Sequence, residues 1–504
     1  MQLSFEVDPS ARISLQSQLV GQISTSITTG RLKPGTRLPG TRALSEQLGV
    51  SRNTVLLAYA GLVAEGFVET REGAGTYVSP ASPEPPKFTA RATAAAPRAA
   101  TLAPASAPPP LVCNFELEGI DPDLFPSAVW RRLMIRRMQS ARFNLTRAGD
   151  PQGAPELRAA LCRFLGATRG MSVEPGQVVV VSGIQQAMTA VGQMLVHPGT
   201  PVIMEAPGCS MIAPLYQRFG AEVLPVPVDE DGLMVDRLPT CREGVAIVTP
   251  ARHFPLGGTM PASRRRALLD WADASDAHVF EVDFDSDFQY EGSPQPSLQA
   301  MDRQGRFIYA GSFAMTIGPG LRIGYLILPH RLVQPALDAV SLLEHAWPIQ
   351  GMGAPWLDQA VLTDFIDSGG YDKHLRTLRR AYMERRDAVV AGLARQFGAP
   401  DLLGMASGTH LAWRMPRHLP EAAECEARAR AAGIAVHTLK FRTISGAETL
   451  PGWERHLLLG FAALKPAVIG TMLDRFAASL RGPAPAPQQV PGNGRAVEGR
   501  SHGQ

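Results

Sequence analysis

Residues 30–78 read GRLKPGTRLPGTRALSEQLGVSRNTVLLAYAGLVAEGFVETREGAGTYV, and their local signals order the amino-terminal part of the chain. Thr41 opens a short helix bearing Leu44 and Leu48 and ending at Gly49, and Ser51 caps a further helix with Val55, Tyr59 and Leu62 on one face. The tight step Leu48-Gly49-Val50 joins the two as a helix-turn-helix. Phe67–Thr70 and Thr76–Val78 then flank a glycine-rich tip, the pattern of a β-hairpin. Upstream, Leu15, Leu19, Ile23 and Ile27 recur every four residues before Gly30, which predicts an amphipathic helix closed by a left-handed glycine.

The residues that begin the third helix suit DNA. Ser51, Arg52, Asn53 and Thr54 stand where such a helix meets the major groove. Arginine bridges guanine acceptors, asparagine pairs with adenine, and the hydroxyls hold phosphate. Residues 1–78 carry seven Lys and Arg against six Asp and Glu, a net charge of only +1. Between Asp8 and Glu46, however, stand Arg12, Arg31, Lys33, Arg37 and Arg42 and no acidic residue. That distribution predicts one face for a phosphate backbone. The bland alternative is a small helical module with a solvated, charged surface.

Residues 30–78 closely resemble the winged helix-turn-helix of the GntR family of bacterial transcription regulators. By that resemblance Arg42, Ser51, Arg52, Asn53 and Thr54 contact DNA, and Gly73 and Gly75 lie in the wing. Gly40 stands where relatives usually carry serine at a helix start.

Beyond this head, residues 79–110 hold eleven alanines and nine prolines in thirty-two positions, too few large apolar groups to offset ordering entropy. The expected organisation is a head at 1–78, an Ala/Pro-rich linker at 79–112, a large domain at 113–481 and a disordered tail at 482–504. In the large domain, Val178–Val181, Pro201–Glu205, Ala246–Thr249, His278–Asp283, Phe307–Gly311 and Gly324–Leu328 are apolar runs separated by helical stretches. Such alternation predicts an α/β fold with a mainly parallel sheet.

With 504 residues, 45% of them hydrophobic and 19% charged, the chain can bury large cores, which excludes a disordered or fibrous protein. No apolar run reaches the roughly 18 to 20 residues of a membrane helix, and Glu6 and Asp8 occupy what would be the basic start of a signal peptide. A cytoplasmic protein is expected. Cys113, Cys162, Cys209, Cys241 and Cys425 are scattered without CxxC pairs, and they read as ordinary thiols.

The large domain resembles a fold-type I aminotransferase, and its union with a GntR head and a long linker resembles the MocR-type regulators. The resemblance rests on GDPQGAPELRAAL (149–161), VSGIQQAM (181–188), VTPARHFPLGG (248–258), FEVDFDSDFQYEG (280–292) and GSFAMTIGPGLRIGY (311–325). It implies a pyridoxal phosphate site with a Schiff-base lysine, but Met315 stands at that position. None of the five lysines (Lys33, Lys87, Lys373, Lys440, Lys465) lies in the motif, and a thioether forms no imine. The family's pyridine-pairing aspartate is Val282 and its tyrosine Phe284; the ring-stacking aromatic corresponds to Cys209, the tyrosine of YGDP to Ala148, and the substrate-clamping arginine to Leu458.

Part of the family's phosphate grip remains: Gly183, Ile184 and Gln185 at a helix start, Ser312, and Arg322. The plain alternatives are that Gly183 serves only chain geometry and that Arg322 forms a core ion pair. Asp283, Asp285, Asp287 and Glu291 form an acidic cluster, with alternation placing the three aspartates on one face. We read it as a family pattern without metal.

These readings give a sequence-specific regulator that binds a double-stranded DNA operator as a homodimer through a degenerate aminotransferase-like domain. The domain holds no covalent cofactor, catalyses nothing and takes a small anionic effector. The alternatives are a divergent pyridoxal-phosphate enzyme, pyridoxal phosphate held non-covalently, or a domain that only dimerises.

Overall fold

The computed structural model describes residues 5–8, 13–71, 74–80, 111–140, 149–342, 355–442, 444 and 452–481, with 341–342 and 441–442 described by backbone alone. Arg12, Gly73, Ala148, most of the linker and the tail 482–504 lie outside them. The chain divides into two compact units, Met1–Ser106 and Ala107–Gln504.

The head contains helices Leu15–Thr28, Thr41–Leu48 and Arg52–Ala64 and a hairpin of Val68–Arg71 with Gly75–Val78. Each boundary has a local cause. Ser14 caps the first helix, its Oγ accepting from Ser17 N at 3.2 Å. Gly49 closes the second at φ +65°, and Ser51 Oγ caps the third by accepting from Thr54 N at 3.0 Å. Gly40 offers the second helix no side-chain cap, so the departure from serine leaves that helix start uncapped. Leu19, Ile23, Leu44, Val55, Leu62, Val68 and Val78 form the core. Segment 35–38 runs beside the hairpin, with Leu38 N donating to Thr76 O and Val78 N to Thr36 O, both at 2.9 Å. Arg37 crosses over Gly75, where φ is +106° and an added Cβ would sit 3.3 Å from Arg37 Nε. That wing position therefore suits glycine.

The large unit is built on an eight-stranded sheet. From edge to edge it runs Val178–Val181, Gly324–Ile327, Phe307–Ser312, His278–Asp283, Val245–Val248, Pro201–Ala206, Glu222–Asp229 and Gly232–Leu233. The pairings from Phe307–Ser312 through Glu222–Asp229 are parallel, and those of Gly324–Ile327 and Gly232–Leu233 are antiparallel. A second sheet joins Asp401–Leu403, His410–Arg414, His456–Gly460 and His437–Thr438, all antiparallel.

The six apolar runs are strands within a residue at each end. Glu222–Asp229 was not expected; Pro225 and Pro227 interrupt its pattern, and only its last two residues pair with the short edge strand beyond it. The single face expected for Asp283, Asp285 and Asp287 does not follow from a strand. The strand ends at Asp283, so strand alternation does not govern the two aspartates after it.

Candidate functional site

Strand order brings the proposed anion-binding residues to one end of the sheet. Ser312 lies opposite Gly324, and Gly324 lies opposite Val181 on its other side. Gly183, two residues past Val181, has φ +85° and begins helix Ile184–Leu195; an added Cβ on Gly324 would lie 3.1 Å from Gly183 Cα. First-turn amides of a helix lack partners within it, so those of Ile184 and Gln185 are available to an anion. Ser312 Oγ accepts from Ala314 N at 3.1 Å, which leaves its hydroxyl proton free to donate. Arg322 follows the turn Pro319–Leu321 in a left-handed conformation, φ +51°, and is exposed. The core ion pair considered for it is therefore not its role.

The residues expected at the ring and substrate end lie in apolar packing. Val282 is 2% exposed, pairs with Ala310 and joins Met188, Met204 and Ile247, with Cys209 and Phe284 against the same cluster. Leu458 is fully buried with Leu117, Phe254, Leu256 and Ala412, and Phe284 packs there too. The Phe284 and Phe254 rings are 5.5 Å apart. Met315 is 8% exposed. Together with Phe284, Phe254, Leu117 and His410 it borders a gap of about 20 Å3, the room of one water.

The strand's other face is polar, because Glu281 and Asp283 alternate with Val282. Arg169 Nε donates to Asp283 Oδ2 at 3.0 Å and Arg169 Nη2 to Asp287 Oδ1 at 2.6 Å. Burial pushes the Asp283 carboxyl up, but Arg169 with the Ser286 and Tyr309 hydroxyls outweighs it and holds Asp283 below its ordinary value. Asp285 meets another arginine. Arg252 Nη1 donates to Asp285 Oδ2 at 3.1 Å, Nε to Ser407 O at 3.0 Å and Nη2 to His410 O at 2.7 Å. Here burial outweighs Arg252, and Asp285 is raised. Glu291 accepts from Arg386 Nη1 at 3.0 Å. The acidic cluster is thus a set of arginine partners.

Arg169, Arg252 and Arg386 were not singled out in the sequence, although Arg169 closes a helix pattern and Arg252 lies inside VTPARHFPLGG. A second buried group was also missed. Glu205 accepts from Thr249 N at 3.1 Å and Thr249 Oγ1 at 2.6 Å, and His253 Nε2 lies 3.7 Å away. Burial raises Glu205 to about 7 and lowers His253 to about 3, so the neutral histidine makes this a polar contact and not an ion pair.

Comparison with known proteins places both units. Residues 15–78 match the bacterial regulatory proteins of the gntR family, and residues 121–427 match the class I and II aminotransferases. The chain is 35% identical over 399 residues to the probable rhizopine catabolism regulatory protein MocR of Rhizobium meliloti, covering 76% of this chain and 78% of that protein. It is 31% identical over 494 residues to the HTH-type transcriptional regulator TauR of Rhodobacter capsulatus, covering 95% and 99%. The pyridoxine biosynthesis regulator PdxR of Corynebacterium glutamicum is 33% identical over 394 residues, covering 77% and 80%. The crystal structure of a multiple substrate aminotransferase from Thermococcus profundus superposes with a TM-score of 0.65 at 22% identity, covering 73% of this chain and 91% of the other, a likeness of fold.

Glu281 yields a pH prediction. It is fully buried, its Oε1 has no hydrogen-bond partner among the described residues, and burial pushes it up to about 7. Between its ordinary value of about 4.3 and about 7, the folded chain keeps a proton that the unfolded chain releases, so this group's contribution to stability falls as pH rises through that window. Urea melts of Glu281→Gln, which carries no such proton, should gain stability relative to wild type from pH 5 to pH 8. An unchanged difference across that range would contradict the assignment.

Similarity at this identity and coverage, over a winged-helix head and an aminotransferase fold together, shows that the chain belongs to the MocR-type members of the GntR family, DNA-binding transcription regulators that carry an aminotransferase-like domain.

Proposed function

We propose that residues 113–481 form a non-catalytic module that pairs two DNA-binding heads in the cytoplasm and responds to a small anionic effector. The observation that carries this is Met315, buried and lining a small gap with Phe284 and Phe254 at the position where the family holds its lysine. A pyridoxal ring does not fit these residues. Val282 offers its nitrogen no carboxylate, Phe284 offers its phenolic oxygen no hydroxyl, and Met315 offers no amine. The divergent-enzyme alternative would need another residue to supply the amine. Protein purified with excess pyridoxal phosphate should show no imine absorbance and no added mass after borohydride reduction. Met315→Lys should still transaminate no amino acid, because positions 282 and 458 stay apolar. A reduced adduct on the wild-type chain, or turnover by the variant, would overturn the reading.

The phosphate end differs. Ser312, exposed Arg322 and the amides of Ile184 and Gln185 following Gly183 offer donors to a phosphate or carboxylate, while the ring end is apolar. Vitamin phosphates and anionic amphiphiles should therefore raise the Tm of wild type and not of Arg322→Ala. Equal shifts in both would remove the anion site, and no shift in either would leave a domain that only dimerises.

For the head, Arg42, Ser51, Arg52, Asn53, Thr54, Gly73 and Gly75 are proposed to meet DNA. Arg52 Nε lies 3.4 Å from Thr41 Oγ1, which holds its side chain at the start of the second helix. Arg42 has only an exposed pair with Glu46, an interaction weak enough to yield to phosphate. Arg52→Ala should cost about 1–3 kcal/mol on the operator and relax one base position. Unaltered footprints and affinity would count against it. One recognition helix spans too few base pairs to select a site in a genome, so two heads on one dimer are proposed to share a repeated half-site. Sedimentation equilibrium at micromolar concentration should give a dimer mass; a monomer with and without DNA would exclude this arrangement.

A further inference from the structure

The third helix of the head carries three exposed apolar side chains outside its core face, Leu56, Leu57 and Val63, and Leu56 is the one at neighbour spacing from both Arg52 and Asn53. Its inward face is Val55, Ala58, Tyr59 and Leu62. Leu56 points elsewhere and is 49% exposed. It stands four residues after Arg52 and three after Asn53, the spacings that make neighbours on a helix surface. Leu57, also exposed at 44%, stands five residues after Arg52, off that neighbour spacing, and its backbone carbonyl accepts from Gln16 Nε2 of the first helix at 3.4 Å. On the other flank, Arg52 Nε reaches Thr41 Oγ1 of the second helix.

We propose that Leu56 contacts the C5-methyl group of a thymine beside the base met by Arg52. This rests on the assignment of Ser51–Thr54 to the major groove. The chemistry selects the occupant, because thymine alone among the four bases presents a methyl group there. A half-exposed leucine gains little from folding, yet it can bury apolar surface against that methyl at no cost in unpaired polar groups. Phosphate offers it nothing. The operator is thus expected to carry an A·T pair adjacent to the Arg52 position, recognised through shape and burial rather than a hydrogen bond.

The test uses the full-length chain and a pool of duplexes with a randomised core. Wild type should enrich a motif with an invariant thymine next to the position that Arg52→Ala relaxes. Replacing that thymine by uracil, which removes only the methyl, should weaken wild-type binding about fourfold. Leu56→Ala should bind the thymine and uracil duplexes alike and enrich a motif relaxed at that pair. The Tm of Leu56→Ala should match wild type, since the side chain lies outside the core. If wild type binds thymine and uracil duplexes equally at every position of its motif, the proposal is overturned even if the variant fails to fold. It is likewise overturned if Leu56→Ala keeps the wild-type preference for thymine. A pool that yields no enriched sequence removes the groove assignment of Ser51–Thr54 and this contact with it, whereas an enriched motif without methyl dependence removes the contact alone.

Discussion

Burying Asp283, Asp285 and Asp287 is tolerable only because two guanidinium groups meet them. A carboxylate taken out of water without a partner costs several kcal/mol. Arg169, from the end of helix Pro155–Arg169, binds Asp283 and Asp287, and Arg252, from the loop after Val245–Val248, binds Asp285. The pairs clamp the chain as it leaves the strand, and fully buried Phe288 follows directly. Arg252 also donates to the backbone of Ser407 and His410. It therefore ties the large sheet to the start of the four-stranded sheet, where Leu458 is held.

That clamp separates two kinds of residue interleaved in one segment. Asp283 and Asp285 face arginines, while Val282 and Phe284 face apolar clusters. Acidic residues that persist beside apolar ones in this segment are accounted for by their partners in the fold. Their presence is no argument for catalysis or for a metal. The residues that bear on chemistry are the interleaved ones, and these share their surroundings with Met315 and Leu458 through Phe254 and Phe284.

How much of this was legible follows from where each signal resides. The run Val178–Val181 is apolar at every position and reads as a buried strand, and Ser51 and Gly49 announce their helix ends by local chemistry. Glu222–Asp229 escaped because two prolines break its pattern, and they are tolerated next to the sheet edge. The bounds of strand His278–Asp283 were legible, but alternation carried past its end does not place Asp285 and Asp287. Arg252 looked like one more basic residue, because its partners at 407 and 410 lie more than a hundred positions away. Burial and partnership across such distances are tertiary facts. Family resemblance supplied the positions of Met315, Val282 and Phe284, whereas the Phe254 ring beside Phe284 and the cluster around Val282 required coordinates.

The charge of the head bears on how such a regulator finds its site. With seven Lys and Arg in residues 1–78, five of them between Asp8 and Glu46, the head can neutralise only a few phosphates at once. The sequence-independent part of binding, which grows with the number of phosphate contacts, is then small and falls with salt. A weakly held head spends little time on random DNA, and on the proposed contacts discrimination comes from base edges met by the short run at the start of the third helix. So few base contacts give limited selectivity to one head. If the large domain pairs with a second copy as proposed, linkage to it raises the effective concentration of the other head without adding charge. In the proposed dimer, the aminotransferase-like fold would serve DNA reading by holding two heads together, a role that calls on its framework and not on catalysis.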